Sequence, residues 1–201
     1  MHYPVPAAQA RSLLEIKKSK FIAYATFADS RSAAMDFLAE LREKYPDARH
    51  HCWAYQLGNP SMPDNAGMGD DGEPSGTAGK PILNVLQHKG VGNIMLVVVR
   101  YFGGIKLGAG GLVRAYSGAA QQVMTELAIK QQAPQCTALL KADFKHEQFL
   151  RHLVGEYNGV VEACDYALGI TMKVVLPQDL FPSLVDAIAG LPVSVVTDNP
   201  T

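Results

Sequence analysis

The clearest pattern along the chain is Ala34, Phe37, Leu38, Leu41 and Tyr45 at three-to-four spacing, which predicts an amphipathic helix that Ser30 caps and Pro46 ends. Before it, Leu14, Ile16, Phe21, Ile22, Tyr24 and Phe27 flank the polar residues 17–20 and predict two strands or one bent strand. Residues 49–57 alternate, with Cys52, Ala54 and Gln56 on one face and His51, Trp53, Tyr55 and Leu57 on the other, as in a half-buried strand. Residues 58–79 are rich in Gly and Pro and poor in apolar side chains, so they read as one long loop without regular structure. A short helix over 81–89 follows, with Pro81 in its first turn. The dense apolar run 94–99 then predicts a central strand, and a glycine-rich turn at 102–111 leads into the longest predicted helix, about 110–129.

Residues 131–135, Gln-Gln-Ala-Pro-Gln, form a polar connector without apolar period, and they place a domain boundary between residues 1–132 and 136–201. Beyond it the pattern restarts as strand 136–144, a helix marked by Phe149, Leu150, Leu153 and Tyr157, strands 160–166 and 170–176, a helix marked by Leu180, Phe181, Leu184 and Ile188, and strand 193–196. That βαββαβ order predicts a ferredoxin-like module, a four-stranded antiparallel sheet with both helices on one face. The fold class is α+β.

Composition narrows the function classes only a little. The net charge of −1 is too balanced for a strongly basic nucleic-acid binder, yet residues 1–136 carry +3 and residues 137–201 carry −4. The longest apolar run is far short of the ~20 residues a membrane span needs, and no apolar signal core precedes residue 20, so the expectation is a cytoplasmic protein without a membrane partner. Cys52, Cys136 and Cys164 fit neither a disulfide framework nor a paired-ligand zinc site and are expected as buried thiols. His50 and Cys52 share a strand face without a second ligand pair, which favours packing over a metal.

Two segments carry chemistry. The first holds Asp70, Asp71, Gly72, Glu73, Ser75, Gly76, Thr77 and Gly79 ahead of Lys80. It fails the phosphate-loop pattern, because Pro74 stands where the first glycine is needed and Pro81 where the magnesium-binding hydroxyl is needed. Anion binding at the helix N-terminus by Gly79 and Lys80 stays open. The second, residues 99–116, places Arg100, Lys106 and Arg114 among Tyr101, Phe102, Tyr116 and five glycines, Gly103, Gly104, Gly108, Gly110 and Gly111, which suit tight turns and close backbone approach.

 Between Glu73 and Glu126 there is no acid, while Lys80, Lys89, Arg100, Lys106 and Arg114 all fall there. Two readings stay open: the cations pair with Asp70, Asp71 and Glu73, or they form an anion-binding surface.

Residues 70–81 and 100–116 together resemble the signature of the IMPACT/YigZ family, and Ser19-Lys20-Phe21-Ile22 and His51-Cys52-Trp53-Ala54-Tyr55 resemble it too. The resemblance implies an N-terminal domain like the second domain of small-subunit ribosomal protein five and a C-terminal module similar to one of elongation factor G. It also implies a link to translation, since eukaryotic relatives regulate it through an initiation-factor kinase; their N-terminal partner-binding domain is not matched here, so that partnership is not carried over. The expectation is a non-enzymatic, translation-associated regulator that binds RNA or the ribosome, with no cofactor and no metal. In it Lys80, Arg100, Lys106 and Arg114 meet phosphates and Tyr101 stacks on a base. The alternative is an enzyme acting on a phosphorylated or anionic small molecule, with Asp70, Asp71 and Glu73 holding Mg²⁺. A protein partner on the exposed sheet of the C-terminal module is a third reading.

Overall fold

The computed structural model describes residues 2–197. The chain divides into two compact units, one of residues Tyr3–Gln132 and one running from Ala133 onward together with His2.

In the first unit, strands β1 (Tyr3–Pro6), β2 (Ala10–Ile16) and β3 (Ser19–Phe27) precede helix α1 (Arg31–Lys44). Lys17 and Lys18, at φ 47° and 64°, make the tight turn of the β2–β3 hairpin, a backbone twist that matches the twist of the strands. Ser30 Oγ accepts the Ala33 N–H at 3.2 Å and caps α1. Strands β4 (His50–Asn59) and β5 (Met62–Gly69), helix α2 (Gly79–Lys89), strand β6 (Ile94–Tyr101), helix α3 (Gly108–Glu126) and strand β7 (Ile129–Gln132) complete the unit. The main sheet runs β2-β3-β6-β4-β5, antiparallel throughout, and β1 pairs with β7 apart from it.

Both faces of this sheet are covered. Phe21, Cys52, Ala54, Leu96 and Val98 pack with Ile82, Leu86 and Tyr116 of α2 and α3, while Tyr24, Tyr55, Met95 and Val97 pack with Phe37, Leu38 and Leu41 of α1. Apolar residues at both parities of β6 follow from that burial. It also corrects the half-buried reading of residues 49–57, because β4 is shielded on both sides.

Residues 58–79 are not one loop, since β5 occupies eight of them as an edge strand. An edge strand needs few apolar residues. Its glycines have a packing role: a Cβ on Gly69 would come within 2.5 Å of the Trp53 ring and one on Gly67 within 2.6 Å of the Tyr55 ring. The polar stretch 131–135 is a connector only at Ala133 and Pro134, with β7 ending at Gln132 and β8 beginning at Gln135. Backbone pairing between β1 and β7 overrides the weak apolar pattern there.

The second unit contains β8 (Gln135–Ala142), a 3₁₀ turn (Phe144–His146), α4 (Glu147–Glu156), β9 (Val160–Tyr166), β10 (Ile170–Pro177), α5 (Phe181–Ile188) and β11 (Ser194–Thr197). Its sheet order is β11-β8-β10-β9, antiparallel, the ferredoxin-like arrangement. Leu140, Met172 and Val174 of the sheet pack on Leu150, Leu153 and Leu184 of the two helices.

Candidate functional site

The segment from Asp70 to Ala78 turns the chain from β5 into α2, and its carboxylates do the turning. Asp70 accepts the N–H groups of Gly76 at 2.7 Å, Ala78 at 3.0 Å and Gly79 at 2.8 Å, so it satisfies the N-terminus of α2 through space. Asp71, at φ 43°, accepts from Arg42 Nη2 at 2.9 Å and from the His51 N–H at 2.7 Å. The Thr77 hydroxyl donates to the Pro74 carbonyl at 2.6 Å and closes the loop.

Glu73 goes inward. It is 9% exposed and accepts from Arg100 Nη1 at 2.5 Å and from the Tyr116 hydroxyl at 2.8 Å. Cys52 Sγ lies 2.9 Å from the Asp70 carbonyl and 3.3 Å from the Tyr116 hydroxyl. Burial pushes the Cys52 thiol and the Tyr116 hydroxyl well up, so both keep their protons and serve as donors. His50 Nδ1 lies 2.8 Å from the Asp71 carbonyl, and its Nε2 lies 4.0 Å from Glu73 Oε1.

Above this buried network opens a cleft of about 440 Å³, lined by Arg49, His50, Glu73, Arg100, Phe102 and Lys106 and by the start of α3 at Gly108 and Ala109. No acid stands in the first turn of α3, its N-cap Leu107 gives no side-chain hydrogen bond, and among the described residues no carboxylate accepts from its first N–H groups as Asp70 does at α2. Gly108 takes φ 72°, a backbone that favours glycine. The cleft therefore combines cations, exposed helix N–H groups and the half-exposed Phe102 ring, with the Arg100 guanidinium 5.7 Å from that ring's centre.

The expected site residues are distributed unevenly about it. Lys106 and Arg100 line the cleft, but Arg100 is only 6% exposed and neutralises Glu73, so it supports the floor. Lys80 and Arg114 are exposed on α2 and α3 and are not among the cleft-lining residues. Tyr101 follows the opposite parity of β6 and packs on the α1 side, whereas Phe102 reaches the cleft. Gly79 does not offer an open N-terminus to an anion, because Asp70 already fills it. Of the motif loop, Gly72 and Glu73 line the cleft, Ser75 is exposed, and Asp70, Asp71, Gly76 and Thr77 hold the turn. Asp70, Asp71 and Glu73 are each engaged by protein donors, and among the described residues no group of three or more His, Cys, Asp or Glu converges as a metal site. Arg49 and His50 are the cleft residues that sequence reasoning missed as ligands; His50 was weighed only as a partner of Cys52.

Two α+β units, one carrying a cationic cleft at an open helix N-terminus, define the class of protein. The Impact N-terminal domain model matches residues 17–124, and the chain belongs to the IMPACT family. It is 42% identical over 173 residues to IMPACT family member YigZ of Escherichia coli (strain K12), covering 86% of this chain and 85% of that one. An IMPACT family member of Haemophilus influenzae is 41% identical over 156 residues, 78% of this chain and 76% of that one. A crystal structure of a hypothetical protein matches with a TM-score of 0.87 at 35% identity, covering 100% of this chain and 98% of that one. Among the described residues no helix is long and apolar enough to cross a membrane.

Proposed function

We propose that the protein is a translation-associated regulator that binds single-stranded RNA, alone or within a ribonucleoprotein, through the cleft at the start of α3. The observation that carries the reading is the composition of that cleft: Arg49 and Lys106 beside uncapped helix N–H groups, one carboxylate neutralised by Arg100, and an exposed Phe102 ring. Phosphate fits the first set and an unstacked base fits the ring. A cleft of about 440 Å³ suits one splayed nucleotide rather than a duplex. The translational setting rests on the family resemblance. Lys80 and Arg114 remain proposed backbone contacts outside the cleft.

Sequencing RNA that copurifies after mild crosslinking identifies the bound class, and salt titration counts the phosphates. Two contacts, Arg49 and Lys106, give a slope of log K against log salt of about −1.4, and adding Lys80 and Arg114 makes it about −2.8, at roughly −0.7 per contact. An affinity independent of salt removes the cleft from nucleic-acid binding and restores the small-molecule alternative.

A further inference from the structure

The cleft is not uniformly suited to anions, because one edge of it accepts hydrogen bonds. His50 and Glu73 stand there 4.0 Å apart, facing a surface otherwise supplied with donors by Arg49, Lys106, Arg100 and the start of α3. The tautomer of His50 is fixed by its neighbour. The Asp71 carbonyl, 2.8 Å from Nδ1, can only accept, so Nδ1 carries the hydrogen, and in the neutral form of the ring the lone pair is the one at Nε2. The Nδ1 bond to the Asp71 carbonyl holds the ring there, and the side chain, 14% exposed, is among the residues that line the cleft.

A phosphodiester has no hydrogen to give to such an acceptor, and a deoxyribose sugar has none within a chain. A ribose has one at its 2′-hydroxyl, next to the phosphate that the cations would hold. We propose that His50 Nε2 accepts a hydrogen bond from the ribose 2′-hydroxyl, making His50 the residue by which the cleft prefers ribonucleotides to deoxyribonucleotides. This rests on the nucleic-acid reading of the cleft given above.

The test uses the full chain with two 5′-phosphorylated single-stranded oligomers, oligouridylate and its deoxyuridine counterpart, at one salt concentration. Wild-type protein is expected to bind the ribo-oligomer about three- to tenfold more tightly, the worth of one net hydrogen bond. His50→Ala should bring the ratio close to one by weakening the ribo-oligomer alone, and His50→Gln, which keeps an acceptor, should restore part of it. Thermal melts establish that each variant is folded. Equal wild-type affinity for the two oligomers, an unchanged ratio in His50→Ala, or an equal loss on both, would overturn the ribose assignment while leaving the cleft as a nucleic-acid site. Binding of neither oligomer would overturn the nucleic-acid reading itself.

Discussion

Helices α2 and α3 both begin at a glycine after a glycine-containing loop, and both lack an acid in the first turn and a capping side chain from the preceding residue. They differ in what meets their N-termini. Asp70 reaches across eight and nine positions to take the N–H groups of Ala78 and Gly79. At α3 no carboxylate among the described residues does this, and Lys106 and Arg49 line the space in front of it. The macrodipole favours an anion at either end, so a helix that is not supplied with one internally is left with that preference unmet. The acidic loop thus builds the scaffold, and the glycine-rich loop after β6 builds the opening.

The largest effect is expected at the floor that supports this difference. Glu73→Ala leaves Arg100 buried without its carboxylate and should destabilise the first unit by about 3–5 kcal/mol in urea unfolding. A loss under about 1 kcal/mol would mean that Arg100 swings into solvent and that the floor is not rigid. Asp70→Ala should cost about 2 kcal/mol by removing the cap of α2, with Asp70→Asn recovering part of it. If the two variants unfold alike, the cap is supplied by water and the contrast between the helices weakens.

Binding should respond at α3 instead. Phe102→Ala is expected to weaken RNA binding by ~1–3 kcal/mol with little change in salt slope, and Tyr101→Ala to leave it nearly unchanged. The reverse order would return stacking to Tyr101. Ala109→Glu is the smallest in stability and the most direct in meaning. It places an acid in the first turn of α3, where it should stabilise the free protein by about 0.3–1 kcal/mol and at the same time weaken RNA binding. Stabilisation with unchanged binding would show that the α3 N-terminus does not meet the ligand.

The strands and helices with strong apolar period were legible in the sequence, including α1 with its Ser30 cap, the central β6 and the βαββαβ module. β5 was not, because its glycines pack beneath the Trp53 and Tyr55 rings and carry no apolar signal of their own. For the site, the two segments were legible and the roles within them were not. Parity along β6 assigns Arg100 to the face of Leu96 and Val98 and Tyr101 to that of Val97 and Val99, a signal that was available to separate them. The capture of Asp70 by backbone donors, and the arrival of Arg49 and His50 at the cleft, depend on β4 lying beside the loop in space, which no local pattern encodes.

The most direct test of the cleft is ultraviolet crosslinking of the full chain to 5′-phosphorylated oligouridylate, followed by mass spectrometry of the adducts. The account predicts adducts at Phe102 and its neighbours in residues 100–112, competed by unlabelled oligomer and lost in Phe102→Ala. Adducts confined to residues 133–197, or to the α2 surface around Lys80, would contradict it.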